Sequence, residues 1–330
     1  MTMTNHYKKM MNRLRNFILN HTVFLPLLAA LLVCLLLVFL VAFFAVDDQR
    51  MRTQATATAI LYNPFAEVEV SAEAAVVYDI AADRVLYAKN ADSPLPLASI
   101  TKLMLAVVVA ETLSPDGNVG ISENALAQDG ESGLLLGDTW RVQDLLDYTL
   151  IVSSNDGAEA LAEASGEVLR RKYSDAPAYA VEATVWRMNQ KAKELGLSQT
   201  YFLDAHGLDE SSAMAGAYGS ARDMGILFAY AAAHALDAIS ATTYDYTSLG
   251  EEHGSLLPAR NTNDALGTIP GLIAGKTGYT DLAGGNLGIV FDAGLGRPIA
   301  VVVLGSTEEA RFTDVQKLAR LAREAISLPE

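Results

Sequence analysis

The sequence predicts an α/β fold of the α+β kind: a mostly antiparallel sheet built from both ends of one domain, flanked by helices, with an inserted helical subdomain. Three observations predict it. Short strand-like runs that read as hairpins lie near both ends of the region 65–330. Helical periodicity fills the stretch from about 115 to 235. An almost wholly apolar segment, Ser99 to Glu111, has no polar face to spare, and a helix apolar all round belongs in a core. Hairpins favour antiparallel pairing, and helices bury the faces of the sheet they make.

The elements follow in order. Ala74–Ile80 and Val85–Ala88 read as two strands joined by Ala81-Ala82-Asp83-Arg84, a turn without glycine. Pro94 and Pro96 break the chain before the apolar helix. Val142, Leu145, Leu146 and Leu150 repeat at helical spacing. An alanine-rich helix is predicted from about Asp156 to Arg170. Another runs from about Ala183 to Leu195, with Gly196 as its C-terminal stop. Ser220 suits the N-cap of a helix holding Ile226, Leu227 and Tyr230. Strands return at Leu272–Thr280, Leu287–Phe291 and Ile299–Leu304, the last two joined by Ala293-Gly294-Leu295-Gly296-Arg297. The stretch from about Glu308 to Ile326 has helical periodicity in Val315, Leu318, Leu321 and Ile326.

Ahead of this domain the chain divides into a short N-terminus (1–22), an apolar run (23–46) and a polar linker (47–64). Val23 to Val46 carries no charge. As a helix these 24 residues would be about 36 Å long, against a hydrocarbon core of about 30 Å. Lys8, Lys9, Arg13 and Arg15 precede it with no acidic residue among them, which keeps the N-terminus cytoplasmic and the rest outside. The run exceeds the roughly 7–15 apolar residues of a cleaved signal, so the expectation is a retained single-pass anchor in the cell membrane.

The net charge of −15 argues against nucleic acid, whose binding needs basic side chains on phosphates. The only cysteine, Cys34, lies in the apolar run, so the outer domain has no disulfide and no thiolate. There is no Gly-x-Ser-x-Gly elbow and no His-Glu-x-x-His pattern, so neither metal nor cofactor is expected. His206, in Asp204-Ala205-His206-Gly207-Leu208-Asp209, reads as a structural turn residue.

Three strings supply chemistry without histidine. In Ser99-Ile100-Thr101-Lys102 the two functional residues are three apart, on one helix face. A serine needs a base, and lysine can be one only when neutral. Burial or a second cation lowers its pKa from about 10.4. Ser153-Ser154-Asn155 offers a hydroxyl to pass a proton and an amide to hold a peptide bond. Ser122-Glu123-Asn124 has the same pattern but no strong helix behind it. Lys276-Thr277-Gly278 puts a cation and a hydroxyl on a probable strand, where an extended peptide could lie with its carboxylate held. Singly, Ser-x-x-Lys and Lys-Thr-Gly have bland structural readings; the order of the three carries the weight.

With Leu97-Ala98-Ser99-Ile100-Thr101-Lys102-Leu103-Met104, Ser153-Ser154-Asn155-Asp156, His206-Gly207-Leu208-Asp209, Asn261-Thr262-Asn263 and Gly275-Lys276-Thr277-Gly278-Tyr279-Thr280, the chain resembles the serine D-alanyl-D-alanine carboxypeptidases, the low-molecular-mass penicillin-binding proteins. The resemblance runs from about Ala66 to Ser306 and implies a transpeptidase-like fold. It implies Ser99 as nucleophile, Lys102 as base, Ser153 as proton relay and Asn155 as the residue orienting the substrate amide. Lys276, Thr277, Gly278 and Tyr279 would form the substrate strand, with backbone N–H groups of Ser99 and Tyr279 as the oxyanion hole. The implied partner is a peptidoglycan stem peptide ending in D-Ala-D-Ala, with β-lactams as covalent inhibitors. Two departures stand out: Asp204-Ala205 replaces the usual Asn-Pro, and the C-terminal extension usual in the family is not expected after the last predicted helix. A class A β-lactamase would add a Glu-x-x-x-Asn string, which Glu159, Glu163 and Glu167 do not provide. A membrane β-lactam sensor or an inactive wall-binding module are the other readings.

Overall fold

The computed structural model describes residues 6–17, 31–46, 63–130, 132–250, 256–294 and 296–327. The chain separates into two compact units, an N-terminal one and Pro64–Ser327. In the first, residues 6–17 and Leu31–Val46 are helical, the latter a short apolar helix with exposed side chains. No single helix among the described residues is long and apolar enough to cross a membrane. Residues 23–30 of the apolar run, and the linker from 47 to 62, lie outside the described residues.

In the second unit, β1 (Ala74–Asp79), β2 (Arg84–Lys89), β3 (Leu272–Thr280), β4 (Gly284–Asp292) and β5 (Pro298–Ser306) form a five-stranded sheet in the order β3-β4-β5-β1-β2. Every pairing is antiparallel, with Ala74 opposite Leu304 and Asp79 opposite Ile299 across β1 and β5. The sheet is therefore closed between the two ends of the domain, as expected from the hairpins. The first turn manages without glycine because Asp83 takes the left-handed conformation, φ 48°, which a short polar side chain tolerates.

Side chains alternate across the sheet with period two. Val76, Val290, Val302 and Leu304 face one core with Leu103, Val107 and Phe228. Val77, Ile289, Val301 and Val303 face a second core with Val315 and Leu318. The first core holds the helices α1 (Thr101–Thr112), α2 (Val142–Ile151), α3 (Asn155–Lys172), α4 (Ala180–Glu194) and α5 (Ala221–His234); the second holds α6 (Ala310–Ser327). Residues Thr101 to Val109 of α1 are all buried, as its composition requires. The Ser154 hydroxyl accepts from Gly157 N–H at 2.9 Å and starts α3, and Ser220 does the same for α5 through Asp223 N–H at 3.1 Å. Gly196, φ 72°, follows α4.

One buried side chain ties the sheet to the turn before α1. Asn286 on β4 donates through Nδ2 to the carbonyls of Pro96 and Leu97, both at 3.0 Å, and accepts Gly305 N–H at 2.8 Å. Asn286→Leu strands three backbone groups at once, each at least partly buried. It is expected to cost about 3 kcal/mol in urea denaturation, where an exposed asparagine would cost almost nothing.

Candidate functional site

Ser99 lies in a single 3-10 turn, Ala98–Ile100, that runs directly into α1. Ala98 is held at φ 48°, a left-handed conformation costly for alanine, and this re-aims the chain just before the serine. One turn on, the Lys102 side chain is fully buried. Its Nζ has three acceptors: Ser99 Oγ at 2.8 Å, Asn155 Oδ1 at 2.7 Å and the His206 carbonyl at 2.8 Å.

Ser153 and Asn155 occupy the corner between α2 and α3. Ser153 has φ 64°, again left-handed, so the corner is strained where it carries a candidate site residue. Its Oγ accepts from Lys276 Nζ at 2.9 Å. Asn155 is engaged through both arms, Oδ1 on Lys102 and Nδ2 on the Asp129 carbonyl at 2.6 Å. One Nδ2 hydrogen remains for a ligand.

On β3, Lys276 is buried and donates also to the Thr277 carbonyl at 3.0 Å. Thr277 Oγ1 lies 2.5 Å from Thr262 Oγ1. Gly278 runs against the serine turn, where an added Cβ would sit 2.9 Å from Leu97 O and 3.1 Å from both Ala98 Cβ and Ser99 N. Absence of a side chain is what brings the β3 backbone beside the Ser99 N–H. Tyr279, the next residue, is half exposed. Sequence-separated strings thus converge around Ser99. The alternative string does not: Asn124 donates to Glu159 and Glu163 at 3.3 and 2.9 Å.

Burial sets the charge state of both lysines. Desolvation pushes Lys102 down to about 7, opposed by the negative charge of Asp204. Lys276 is held well below the ordinary lysine value by burial, with Lys102 and Arg311 adding repulsion. His206 is pushed down to about 3 by burial and by Lys102, and its Nδ1 accepts Leu208 N–H at 3.2 Å, so the ring is neutral. The structural reading of His206 stands, with one addition: its carbonyl, not its ring, serves Lys102.

Several contributors escaped the sequence reading. Arg311, buried at the start of α6, donates to the Gly278 carbonyl at 2.9 Å. The available signal was its position on the apolar stripe with Val315 and Leu318. The Asp129 carbonyl carried no such signal; Thr262 stood within the Asn261-Thr262-Asn263 string but was given no role. Gly278→Ala is expected to force β3 away from the serine turn and cost about 1–3 kcal/mol of stability, read by thermal or urea unfolding.

Residues 61–308 match the family model described as D-alanyl-D-alanine carboxypeptidase. D-alanyl-D-alanine carboxypeptidase DacF of Bacillus subtilis is 33% identical over 264 residues, covering 78% of this chain and 63% of that protein. DacC of Escherichia coli is also 33% identical over 264 residues, covering 76% and 60%. The chain thus spans about three-fifths of the length of these relatives. Among solved structures, penicillin-binding protein D2 of Listeria monocytogenes in its cefotaxime-bound form is 30% identical, covers 77% of this chain and 98% of its own, and superposes with a TM-score of 0.63. The family match runs from before the serine turn to beyond the Gly278 strand, so it takes in all three converging strings, and on that basis the chain belongs to the D-alanyl-D-alanine carboxypeptidase family, S11 among the peptidases.

Proposed function

We propose that this protein is a membrane-anchored serine D-Ala-D-Ala carboxypeptidase that removes the terminal D-alanine of peptidoglycan stem peptides through an acyl-enzyme on Ser99. The observation that carries the reading is the buried Lys102 amine 2.8 Å from Ser99 Oγ. In its neutral form Nζ keeps two N–H groups, which suit Asn155 Oδ1 and the His206 carbonyl. The lone pair then faces the Ser99 hydroxyl and takes its proton.

Ser99 Oγ attacks the carbonyl of the D-Ala-D-Ala bond as Lys102 accepts that proton. The developing oxyanion is held by the N–H groups of Ser99 and Tyr279. The proton passes by way of the Ser153 hydroxyl to the leaving nitrogen, the C–N bond breaks, and D-alanine departs. Water then hydrolyses the Ser99 ester. Asn155 orients the substrate amide. Lys276 and Thr277 hold the terminal carboxylate, and its arriving charge favours the ammonium form of Lys276 that burial disfavours. β-Lactams acylate the same hydroxyl, in keeping with the cefotaxime complex of the Listeria relative. The uncharged run Val23–Val46, preceded by four cations, supports single-pass anchoring with the catalytic domain extracytoplasmic.

The test is release of D-alanine from a diacetyl-lysyl-D-Ala-D-Ala peptide by the full chain in detergent, with and without penicillin. Ser99→Ala is expected to abolish both release and labelling by fluorescent penicillin while the unfolding transition survives. D-alanine release by that variant would refute the assignment, and fast penicillin turnover by the wild type would point to a β-lactamase instead.

The base must be uncharged to act, and Lys102 is pushed down to about 7. Acylation by penicillin is therefore expected to rise roughly tenfold per pH unit below that value and to flatten above it. A stopped-flow pH series checks this; a rate independent of pH between 5 and 8 would exclude Lys102 as the base.

A further inference from the structure

Asp204 stands beside the site without touching it. It lies in the turn that leads to His206, and its side chain is buried. Oδ1 accepts the N–H groups of His206 at 2.9 Å and Gly207 at 2.5 Å. Oδ2 is buried with no hydrogen-bond partner, 3.4 Å from His206 Nδ1. That nitrogen already accepts from Leu208 N–H, so it offers Oδ2 a lone pair and not a proton. The carboxylate therefore has no cation in its own turn.

The nearest positive charge is reached through one peptide group. The His206 carbonyl accepts from Lys102 Nζ, and the N–H of that same peptide, on Gly207, donates to Asp204 Oδ1. Negative charge on Asp204 polarises this peptide and makes its oxygen a stronger acceptor for an ammonium. We propose that Asp204 is a positioning residue for the reaction: through the His206–Gly207 peptide, its carboxylate fixes how readily Lys102 gives up its proton, and so when Ser99 gains a base. The catalytic part of this inference rests on the reading of Lys102 as that base; the charge coupling does not.

The surroundings concentrate the effect. Lys102 reaches the group from α1, Glu159 faces it from α3, and His206 and Glu210 lie in its own segment. Both glutamates repel it and the histidine is neutral, which leaves Lys102 as its one favourable charge among these. On the far side of Lys102, Lys276 on β3 is the like-charged neighbour. Burial raises Asp204 to about 6, against the pull of the two N–H groups and Lys102. Asparagine at this place would keep the Oδ1 contacts and remove the charge.

The test is Asp204→Asn in the full chain labelled with ε-13C lysine, with the Lys102 resonance assigned by its loss in Lys102→Arg. The Lys102 midpoint is expected to fall by about one pH unit, and the acid limb of D-alanine release to move down with it. An unmoved midpoint, or a rate lowered equally at every pH, would overturn the inference and leave Asp204 a turn former only. Should Asp204→Asn fail to fold, Lys102→Met gives the reciprocal reading: the Asp204 carboxyl midpoint rises if the two are coupled and stays put if they are not. If the midpoint shifts but the wild type releases no D-alanine, the coupling stands and the carboxypeptidase reading falls.

Discussion

The arrangement around Ser99 depends on a lysine that is buried and yet fully hydrogen-bonded. The apolar α1 pulls Lys102 toward the neutral amine. Three acceptors and a nearby carboxylate pull it back toward the ammonium. Neither side wins outright, so the proton can move in both directions near neutrality. On an exposed helix face the same lysine would stay charged. In the same apolar helix without its acceptors, it would lose the partners that make a buried ammonium tolerable. The lack of a polar face on α1 thus serves the proposed reaction as well as the core.

Holding the other groups around that amine strains the backbone. Ala98 and Ser153 both sit at left-handed φ, each costing on the order of 1–3 kcal/mol. The restraints are rigid neighbours. Asn286 fixes the turn before Ser99 from inside the sheet, and Gly278 lets β3 press against it. Arg311 anchors the Gly278 carbonyl from α6, and the Ser154 cap holds the corner after Ser153. The strained residues lie between packed elements and not within flexible loops, so relaxing them would mean disturbing two buried cores.

Much of this was legible in the residues. The strand-like runs Ala74–Ile80 and Ile299–Leu304 pointed to the sheet, and the apolar stretch from Ser99 to Glu111 pointed to the core. The three strings marked the cleft because side-chain identity alone carries their chemistry. Other parts were opaque for a common reason: they act through backbone or through position. The His206 and Asp129 carbonyls have no residue signature. Arg311 reads as one more surface cation unless its place on the apolar stripe is noticed. The short ladder pairing Tyr246–Gly250 with Leu256–Arg260 has too little periodicity to stand out. Helix ends moved by a few residues, where caps and tertiary packing compete.

The pairing of β1 with β5 has a kinetic meaning. Val77 must find Val301, and so on along the ladder, across most of the domain's length. Such non-local closure is entropically costly and slows folding relative to local helix formation. During synthesis Ser99 emerges early, and β3, which carries Lys276 and Gly278, emerges near the end. The contacts of Ser153 with Lys276 and of the serine turn with Gly278 therefore form only after the last strands dock.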